Sequence, residues 1–248
     1  MNVKTLSALT LIAAFLPTPA LAEDGKSVLE KMERAVKRYK DMVANFDVVD
    51  HEGGRADRKL AIEIKLKGDK RFTRFTAPAD LKGTRVLVVS QTQMYIYLPA
   101  YKKVRRIASH VTSQGFMGTV FSSDDLALNT YTDKYTAKLV GTTDESFKLD
   151  CAAIAGGDAP YPRFEVDVRK KDFLPLEFRF FDDKGKHIKT EKREGYACKN
   201  DNICLAATQT MHDHRTPDRW SQLVRKEWKV NTGVSNRVFS KRNLARGR

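Results

Sequence analysis

The chain has 248 residues, and its Lys and Arg outnumber its acids by 45 to 31, which gives a formal net charge of +14. This length is enough for one large domain, and the charge favours anionic partners such as phospholipid headgroups, lipopolysaccharide or an acidic protein. No motif for binding nucleic acid, nucleotide phosphates or a catalytic zinc is present, so nucleic acid is excluded as a partner and no common catalytic class is indicated.

The first 22 residues have the pattern of a secretory signal peptide. Lys4 supplies the positive start, residues 6–16 form an apolar run, and Ala20-Leu21-Ala22 has the small residues of a cleavage site. The apolar run is too short to span a bilayer. We therefore expect cleavage after Ala22, export as a soluble protein, and a single domain over residues 23–248. No cysteine follows the cleavage site, so N-terminal lipidation is not expected.

Apolar residues recur at helical spacing from Val28 to Val43, with Lys and Arg between them. This pattern predicts one long N-terminal helix of about five turns. The helix is expected to cover one face of a sheet, and a role on a membrane surface is the alternative.

After Asn45 the apolar period changes to two, which predicts β-strands. The segments with this pattern are 60–66, 72–75, 86–89, 94–98, 104–107, 135–139, 147–151, 164–168, 176–180, 188–190, 205–211 and 223–230. A glycine-containing turn at residues 182–186 predicts that Phe178 and Phe180 pair with Ile188 and Thr190. The fold class is therefore mainly β, with about eleven strands in a meander that must curl or close.

The cysteines predict one disulfide. Cys198 and Cys204 flank a short turn-rich segment, and a bridge between them would contribute roughly 2 kcal/mol to stability. Cys151 is then left over, either as a buried inert thiol or in an intermolecular disulfide.

A basic hairpin is followed by an unusually apolar loop. Two short strands joined at Pro99 carry four basic residues, which we expect to receive an acidic headgroup or dock an acidic partner, or else to form a solvated face. These residues are Lys102, Lys103, Arg105 and Arg106.

In the loop of residues 113–121, apolar side chains stand where a loop is normally polar. Gly115 and Gly118 flank Phe116 and Met117, and Phe121 follows. We predict a lid here, and simple packing against the sheet is the alternative.

Three separated blocks resemble the outer-membrane lipoprotein-sorting-like family, whose members are LolA-like periplasmic proteins. The blocks are 98–107 with 115–118 and 123–126, then 172–186, and finally 228–244. The resemblance implies an open, unclosed antiparallel β-barrel with the long N-terminal helix and short helices covering its concave face. It also implies periplasmic transport of lipids or lipoproteins beside an RND-type exporter. The absence of catalytic motifs separately predicts that the protein is not an enzyme, and no cofactor is expected.

A carrier of acyl chains needs an apolar hollow. Each buried methylene contributes about 0.8 kcal/mol, so a 16-carbon chain needs on the order of 12 kcal/mol of replacement burial. The residues predicted to line the cavity or its lid are Leu60, Ile62, Ile64, Phe72, Phe75, Val86, Val88, Tyr95, Tyr97, Phe116, Met117, Phe121, Phe164, Val166, Phe178, Phe180 and Trp228.

Two functions fit these patterns. The first is a carrier that passes lipid or lipoprotein cargo between an inner-membrane transporter and the outer membrane. The alternative is a non-catalytic protein-interaction module or sensor subunit of an RND-type exporter system, and an anionic membrane surface is a further candidate partner. His212 and His214 share one face of a predicted strand, but two ligands without a third do not make a metal site, so no metal is expected.

Overall fold

The computed structural model describes residues 23–90, 92–107, 115–122, 124–125 and 130–247. The predicted signal peptide of residues 1–22 lies outside the described residues, as do Ser123 and Leu126 of the first resemblance block. Helix α1 spans Gly25–Val36 and helix α2 spans Lys241–Arg246. No helix within the described ranges combines the length and apolar character needed to cross a bilayer.

Strands make up most of the regular structure. Their bounds are β1 Met42–Glu52, β2 Arg58–Lys67, β3 Lys70–Ala77, β4 Arg85–Ser90, β5 Gln93–Leu98, β6 Lys103–Ile107, β7 Tyr135–Thr142, β8 Ser146–Ala153, β9 Arg163–Arg169, β10 Pro175–Phe181, β11 His187–Glu194, β12 Ala197–Lys199, β13 Ile203–Leu205, β14 Thr208–Asp213 and β15 Arg219–Val230.

Thirteen strands form one antiparallel sheet in the order β6-β5-β4-β3-β2-β1-β15-β14-β11-β10-β9-β8-β7. The sheet is not closed into a barrel, which confirms the predicted unclosed antiparallel architecture. The predicted count of about eleven strands was wrong, because the sequence pattern missed β1 and the two-stranded hairpin of β12 and β13. Those two strands have three residues each, too few to show a period of two.

The N-terminal helix is shorter than predicted, at 12 residues. It ends where the Lys37 amide donates to the Glu33 carbonyl, 3.1 Å away, and Met42 and Val43 already belong to β1. The Asp41 carboxylate fixes this strand start by accepting hydrogen bonds from the amides of Thr232 (2.8 Å) and Gly233 (3.0 Å). Burial opposes the charge on Asp41, but these hydrogen bonds hold its pKa below the usual value.

The face of the sheet covered by α1 is called the inner face. Val28, Leu29 and Met32 of α1 are almost fully buried against it. The buried strand residues of this cluster are Met42, Ala44, Phe46, Val48, Leu60, Ile62, Ile64, Phe75, Val86, Tyr135, Leu149, Cys151, Phe164, Val166, Val168, Phe178, Phe180, Ile188, Ile203, Met211, Leu223 and Trp228.

A second apolar cluster lies on the opposite, outer face, where Phe72 and Leu87 pack against Phe239 and Leu244 from the C-terminal segment. Helix α2 therefore covers the outer face, contrary to the prediction that the short helices cover the concave side. Three residues predicted for the cavity belong to this outer cluster, namely Phe72, Tyr95 and Tyr97. Residues an odd number of positions apart in a strand face opposite sides, so Phe72 faces away from the inward-facing Phe75. Tyr95 lies on the same face as Phe72, because Leu87 pairs with both residues, and Tyr97 is two residues further along β5.

Cys198 and Cys204 form a disulfide across the hairpin of β12 and β13. Cys204 packs against Ala35 at the end of α1 and against Leu174, so the hairpin supports the helix. Cys151 is a free, buried thiol, and burial raises its pKa well above the usual value.

The C-terminal cover of the outer face predicts a stability effect. Leu244 has no exposed surface, so Leu244→Ala should lower the free energy of unfolding by about 2–5 kcal/mol in chemical denaturation, because it leaves a cavity. Arg242→Ala, at an exposed position of the same helix, should change it by no more than about 0.5 kcal/mol. Equal effects of the two substitutions would contradict this account of α2.

Candidate functional site

Residues 115–122 form a compact segment over the inner face, called the flap. Its ends pair at Gly115 and Ser122, and the Phe116 amide donates to the Phe121 carbonyl at 2.7 Å. Met117 and Gly118 both have positive φ, at 52° and 84°. Glycine adopts this conformation readily and methionine rarely does, so the tip of the flap is conformationally strained at Met117.

An apolar pocket lies between the flap and the inner face. The Phe116 ring lies 6.0 Å from the Phe75 ring, centroid to centroid. The pocket holds about 30 Å³ and is lined by Val48, Leu60, Ile62, Ile64, Thr73, Phe75, Phe116, Thr119, Phe121 and Leu223.

Two arginines and a serine hold the flap to the sheet. Arg58 donates to the Met117 carbonyl at 2.7 Å, and Arg219 donates to the Gly118 carbonyl at 2.5 Å. The Val120 amide donates to the Ser221 hydroxyl at 2.8 Å, and that hydroxyl donates to Asp50. The flap is thus attached by polar contacts at its tip and by the apolar packing of Val120 and Phe121, whose side chains are buried.

A buried ion pair anchors the C-terminal end of the flap. Lys189 of β11 and Asp125 are 2.9 Å apart, and their side chains are 3% and 5% exposed. Asp125 also accepts from the Tyr161 hydroxyl at 2.5 Å and from the Ser122 amide at 2.7 Å. Burial, together with the neighbouring Asp125, raises the pKa of Tyr161 well above its usual value.

A second cavity of about 140 Å³ lies beside the apolar pocket. Ile64, Phe121 and Leu223 line both, so the two cavities adjoin at these residues and are together called the hollow. The remaining lining of the second cavity is mixed in polarity and consists of Val36, Lys37, Tyr39, Met42, Ala44, Phe46, Leu66, Arg71, Asp125, Tyr131, Glu191, Arg193, Tyr196, Cys204, Leu205, Ala206 and Gln209.

Part of the polar lining, namely Glu191 and Arg193, arises from a β-bulge in β11. Phe181 pairs with His187 but Phe180 pairs with Lys189, so Ile188 is an extra residue. An extra residue reverses the faces of the strand beyond it. The predicted pairing of Phe178 and Phe180 with Ile188 and Thr190 was therefore wrong, because Phe178 lies opposite Glu191.

Glu191 and Arg193 form a two-point ion pair, with 2.8 Å and 3.2 Å between their atoms. Burial opposes the charge on Arg193, but Glu191 raises its pKa. Tyr131 stands beside this pair because Glu33 of α1 accepts hydrogen bonds from the Tyr131 and Thr132 amides. Burial raises the pKa of Tyr131 to about 12, so its hydroxyl stays protonated at neutral pH.

Besides the three residues on the outer face, the predicted cavity residues form one group that lines the apolar pocket and one group that is buried elsewhere. Leu60, Ile62, Ile64, Phe75, Phe116 and Phe121 line the pocket beneath the flap. Val86, Val88, Phe164, Val166, Phe178, Phe180 and Trp228 are buried but line neither cavity. Met117 is partly buried and packs against the inner-face cluster.

The four basic residues of the predicted docking site are all exposed, on and just before the edge strand β6. Those residues are Lys102, Lys103, Arg105 and Arg106. Arg106 donates to the Thr92 carbonyl at 2.9 Å, and Arg105 lies 5.9 Å from the centre of the Tyr101 ring. They are far along the sheet order from β11, which carries the polar part of the hollow.

A third histidine, His187, lies beside His214. The ring of His214 lies 4.4 Å from that of His187, and both rings are hydrogen-bonded to the Thr190 hydroxyl. Within the described ranges, no group of three or more His, Cys, Asp or Glu side chains is arranged to hold a metal ion.

His51 lies next to the residues that hold the flap. Its ring stacks on Trp220, with centroids 5.0 Å apart, and its nitrogens contact Asp218 (3.0 Å) and Asp57 (2.7 Å). Hydrogen bonds with Asp218 and Asp57 raise the pKa of His51. The His51 carbonyl in turn accepts a hydrogen bond from Arg219.

Sequence reasoning missed the polar side of the hollow. Arg71, Thr73 and Phe75 are alternate residues of β3 and therefore share the inner face. A charged residue at one of these positions was the sequence feature that could have predicted a polar part of the hollow. Glu191 and Arg193 gave no such signal, because only the bulge at Ile188 turns them inward.

The described residues form an open antiparallel sheet with a covered hollow on one face. A family model described as "uncharacterized protein" matches residues 67–246, and no curated protein matches the chain. The chain is similar to a candidate outer membrane lipoprotein-sorting protein domain from Vibrio parahaemolyticus, with 25% identity, a TM-score of 0.81, and coverage of 89% of this chain and 98% of that one.

Two further solved structures share the fold. A DUF1329 family protein from Desulfovibrio piger has 22% identity and a TM-score of 0.81, covering 89% of this chain and 97% of that one. A LolA superfamily protein from Nitrosomonas europaea has 18% identity and a TM-score of 0.74, covering 89% and 99%. This chain belongs to the outer-membrane lipoprotein-sorting-like, or LolA-like, family, as its three sequence blocks predicted.

The buried ion pair at the end of the flap predicts a large stability effect. Lys189→Met should lower the free energy of unfolding by about 3–5 kcal/mol, because it leaves Asp125 as a buried charge without its cation. Lys192→Met removes the same charge from an exposed position of the same strand and should cost about 0–1 kcal/mol. Chemical denaturation of both variants measures the difference, and similar losses would refute the role of the buried pair.

The contacts of His51 predict a pH effect. Asp218→Asn should lower the pKa of His51 toward its ordinary value of 6.5, as followed by NMR titration of the ring. Because folding raises the pKa of His51, its protonation stabilises the folded state at any pH below the ordinary pKa of histidine. This contribution is lost as the pH rises through the raised pKa of His51. The thermal stability difference between the two proteins should therefore be present at pH 5 and shrink at alkaline pH. An unchanged His51 pKa in the variant would contradict the assignment.

Proposed function

We propose that this protein is a periplasmic carrier that binds the acyl chain of a lipid or lipoprotein in the hollow of the inner face. In this proposal it passes the cargo between an inner-membrane transporter and the outer membrane. The predicted signal peptide and the family support the compartment. The printed description of the Vibrio relative, a candidate lipoprotein-sorting domain, supports the class of cargo.

One observation carries the proposal, namely the apolar pocket beneath the flap. Its lining is almost entirely aliphatic or aromatic, and its cover is held by hydrogen bonds at a strained tip. An alkyl chain gains free energy when it is buried against an apolar surface. The flap can open at modest cost, because water can replace the hydrogen bonds that its tip makes with the sheet.

The described conformation corresponds to the closed state of such a carrier. The two cavities of about 30 and 140 Å³ are smaller than the roughly 300–1,000 Å³ of typical ligand sites. A 16-carbon chain therefore enters only when the flap swings away. Release of the contacts made by Arg58 and Arg219 is the expected opening step.

The exposed basic residues at the β6 edge favour a docking role toward an RND-type exporter or an anionic membrane surface. Lys102, Lys103, Arg105 and Arg106 present four positive charges on one hairpin. The same surface would serve the second candidate function, a non-catalytic interaction module or sensor subunit of an exporter system. In that case the hollow would stay closed and empty while the hairpin binds the exporter.

The carrier proposal predicts the effect of charge in the flap. Phe116→Asp combined with Met117→Asp should reduce the lipid that co-purifies with the protein by at least about tenfold, because a carboxylate beneath the cover opposes burial of an alkyl chain. The unfolding midpoint should stay within about 4 °C, since both side chains are only partly buried. Native mass spectrometry of protein purified from cells measures the loading.

The matched control places two carboxylates at exposed apolar positions away from the hollow. Val140 and Ile154 are 54% and 41% exposed, so Val140→Asp with Ile154→Asp should load as the unchanged protein does. Equal loading of the flap variant and this control would remove the pocket from the proposal. Protein that is always empty but captures an exporter's periplasmic domain would favour the interaction module.

A further inference from the structure

Arg71 is the charged group of the hollow that lacks a partner. It projects from β3 on the inner-face side and lines the 140 Å³ cavity. Its guanidinium makes no hydrogen bond or ion pair with any residue in the described ranges. Burial lowers the pKa of Arg71 and the nearby Arg193 lowers it further, although Tyr39, Tyr131 and Glu191 act in the opposite direction. An arginine stays charged in proteins, so this enclosure is unfavourable without a counter-charge.

Every other charged group that lines the cavity is already paired. Lys37 contacts Asp69 at 2.9 Å. Asp125 contacts Lys189 at 2.9 Å. Glu191 lies near Arg71, but both of its oxygens bond Arg193. Among the described residues that line the hollow, Arg71 is therefore the cation left without an ion-pair partner.

Tyr39 adds a free hydroxyl next to this charge. It lines the same cavity, and among the described residues nothing accepts or donates a hydrogen bond at its hydroxyl. Burial raises the pKa of Tyr39, so the hydroxyl is protonated and available as a donor. Tyr196, by contrast, already donates to the Pro175 carbonyl at 2.6 Å. A free guanidinium beside a free phenol matches the oxygens of a carboxylate or phosphate.

We propose that Arg71 and Tyr39 bind the acidic group of an amphiphilic ligand whose alkyl chain extends beneath the flap. The inference rests on the carrier function and narrows its cargo to lipids with a carboxylate or phosphate headgroup. The hollow has the polarity for this ligand, because its polar cavity and apolar pocket meet at Ile64, Phe121 and Leu223. The ligand supplies a hydrogen-bonded negative charge that none of the described residues gives to Arg71.

The test compares two ligands that differ only in charge. Palmitate and hexadecanol have the same chain length, and their dissociation constants are measured by displacement of Nile red, an uncharged dye. The unchanged protein should bind palmitate about 10- to 100-fold more tightly than hexadecanol, the range expected for hydrogen bonds to a charged group. Dioleoyl phosphatidic acid and inorganic phosphate are run alongside.

Arg71→Met should reduce the preference for palmitate to less than about threefold while leaving hexadecanol binding unchanged. Its unfolding midpoint should stay the same or rise, because an uncompensated buried charge is removed. Arg71→Lys should retain part of the preference. Lys70→Met is the matched control, because it removes a neighbouring positive charge whose side chain lies on the opposite face of β3. This variant should retain the full preference for palmitate.

The outcomes separate this inference from the carrier function. Tight binding of palmitate or phosphatidic acid that depends on Arg71 supports it and identifies the headgroup. Equal binding of palmitate and hexadecanol, or a preference that survives Arg71→Met, overturns the acidic site but leaves the carrier intact. Inorganic phosphate that binds as tightly as palmitate overturns the lipid assignment. Failure of every lipid probe to bind overturns the carrier proposal as well.

Discussion

The structure depends on covering the apolar inner face of a sheet that does not close on itself. Thirteen strands expose too much apolar surface for water, and other parts of the chain must supply the cover. Helix α1 does so by packing, with Val28, Leu29 and Met32 almost fully buried. The flap does so through directed polar contacts from Arg58, Arg219 and the Lys189–Asp125 pair. The flap also packs Val120 and Phe121 into the apolar cluster, so the cover consists of a helix held by packing and a flap held by packing together with hydrogen bonds.

The hollow under this cover changes in polarity along the inner face. Beneath the flap its lining is apolar, whereas toward the end of α1 it contains Arg71, Glu191 and Arg193. One extra residue in β11 contributes to the change, because the bulge at Ile188 turns Glu191 and Arg193 inward. Buried charges are unfavourable unless paired, so such an arrangement suggests a ligand with a charged end. The same gradient would orient an amphiphile within the hollow.

The outer face of the sheet and its β6 edge have different roles. The C-terminal segment covers the outer face of β3 to β6 through Phe239 and Leu244. At the β6 edge, Lys103, Arg105 and Arg106 place charges beside unpaired backbone groups, which discourages pairing with another sheet. Protection of the edge and docking to an acidic partner are compatible, since both need exposed positive charge. The hollow and the docking surface are thus carried by different parts of the sheet.

The sequence by itself determined the mainly β class, the unclosed antiparallel sheet and the family, because apolar alternation and local blocks such as residues 98–107 are properties of short segments. It also indicated Phe116 and Phe121, whose apolar character in a glycine-flanked loop is visible without coordinates. Tertiary structure alone decided that Phe72, Tyr95 and Tyr97 face outward and that α1 ends before Met42. It alone decided that Arg71 has no hydrogen-bond or ion-pair partner in the part of the chain that the structure describes, because pairing, register and bulges depend on neighbours distant in the chain.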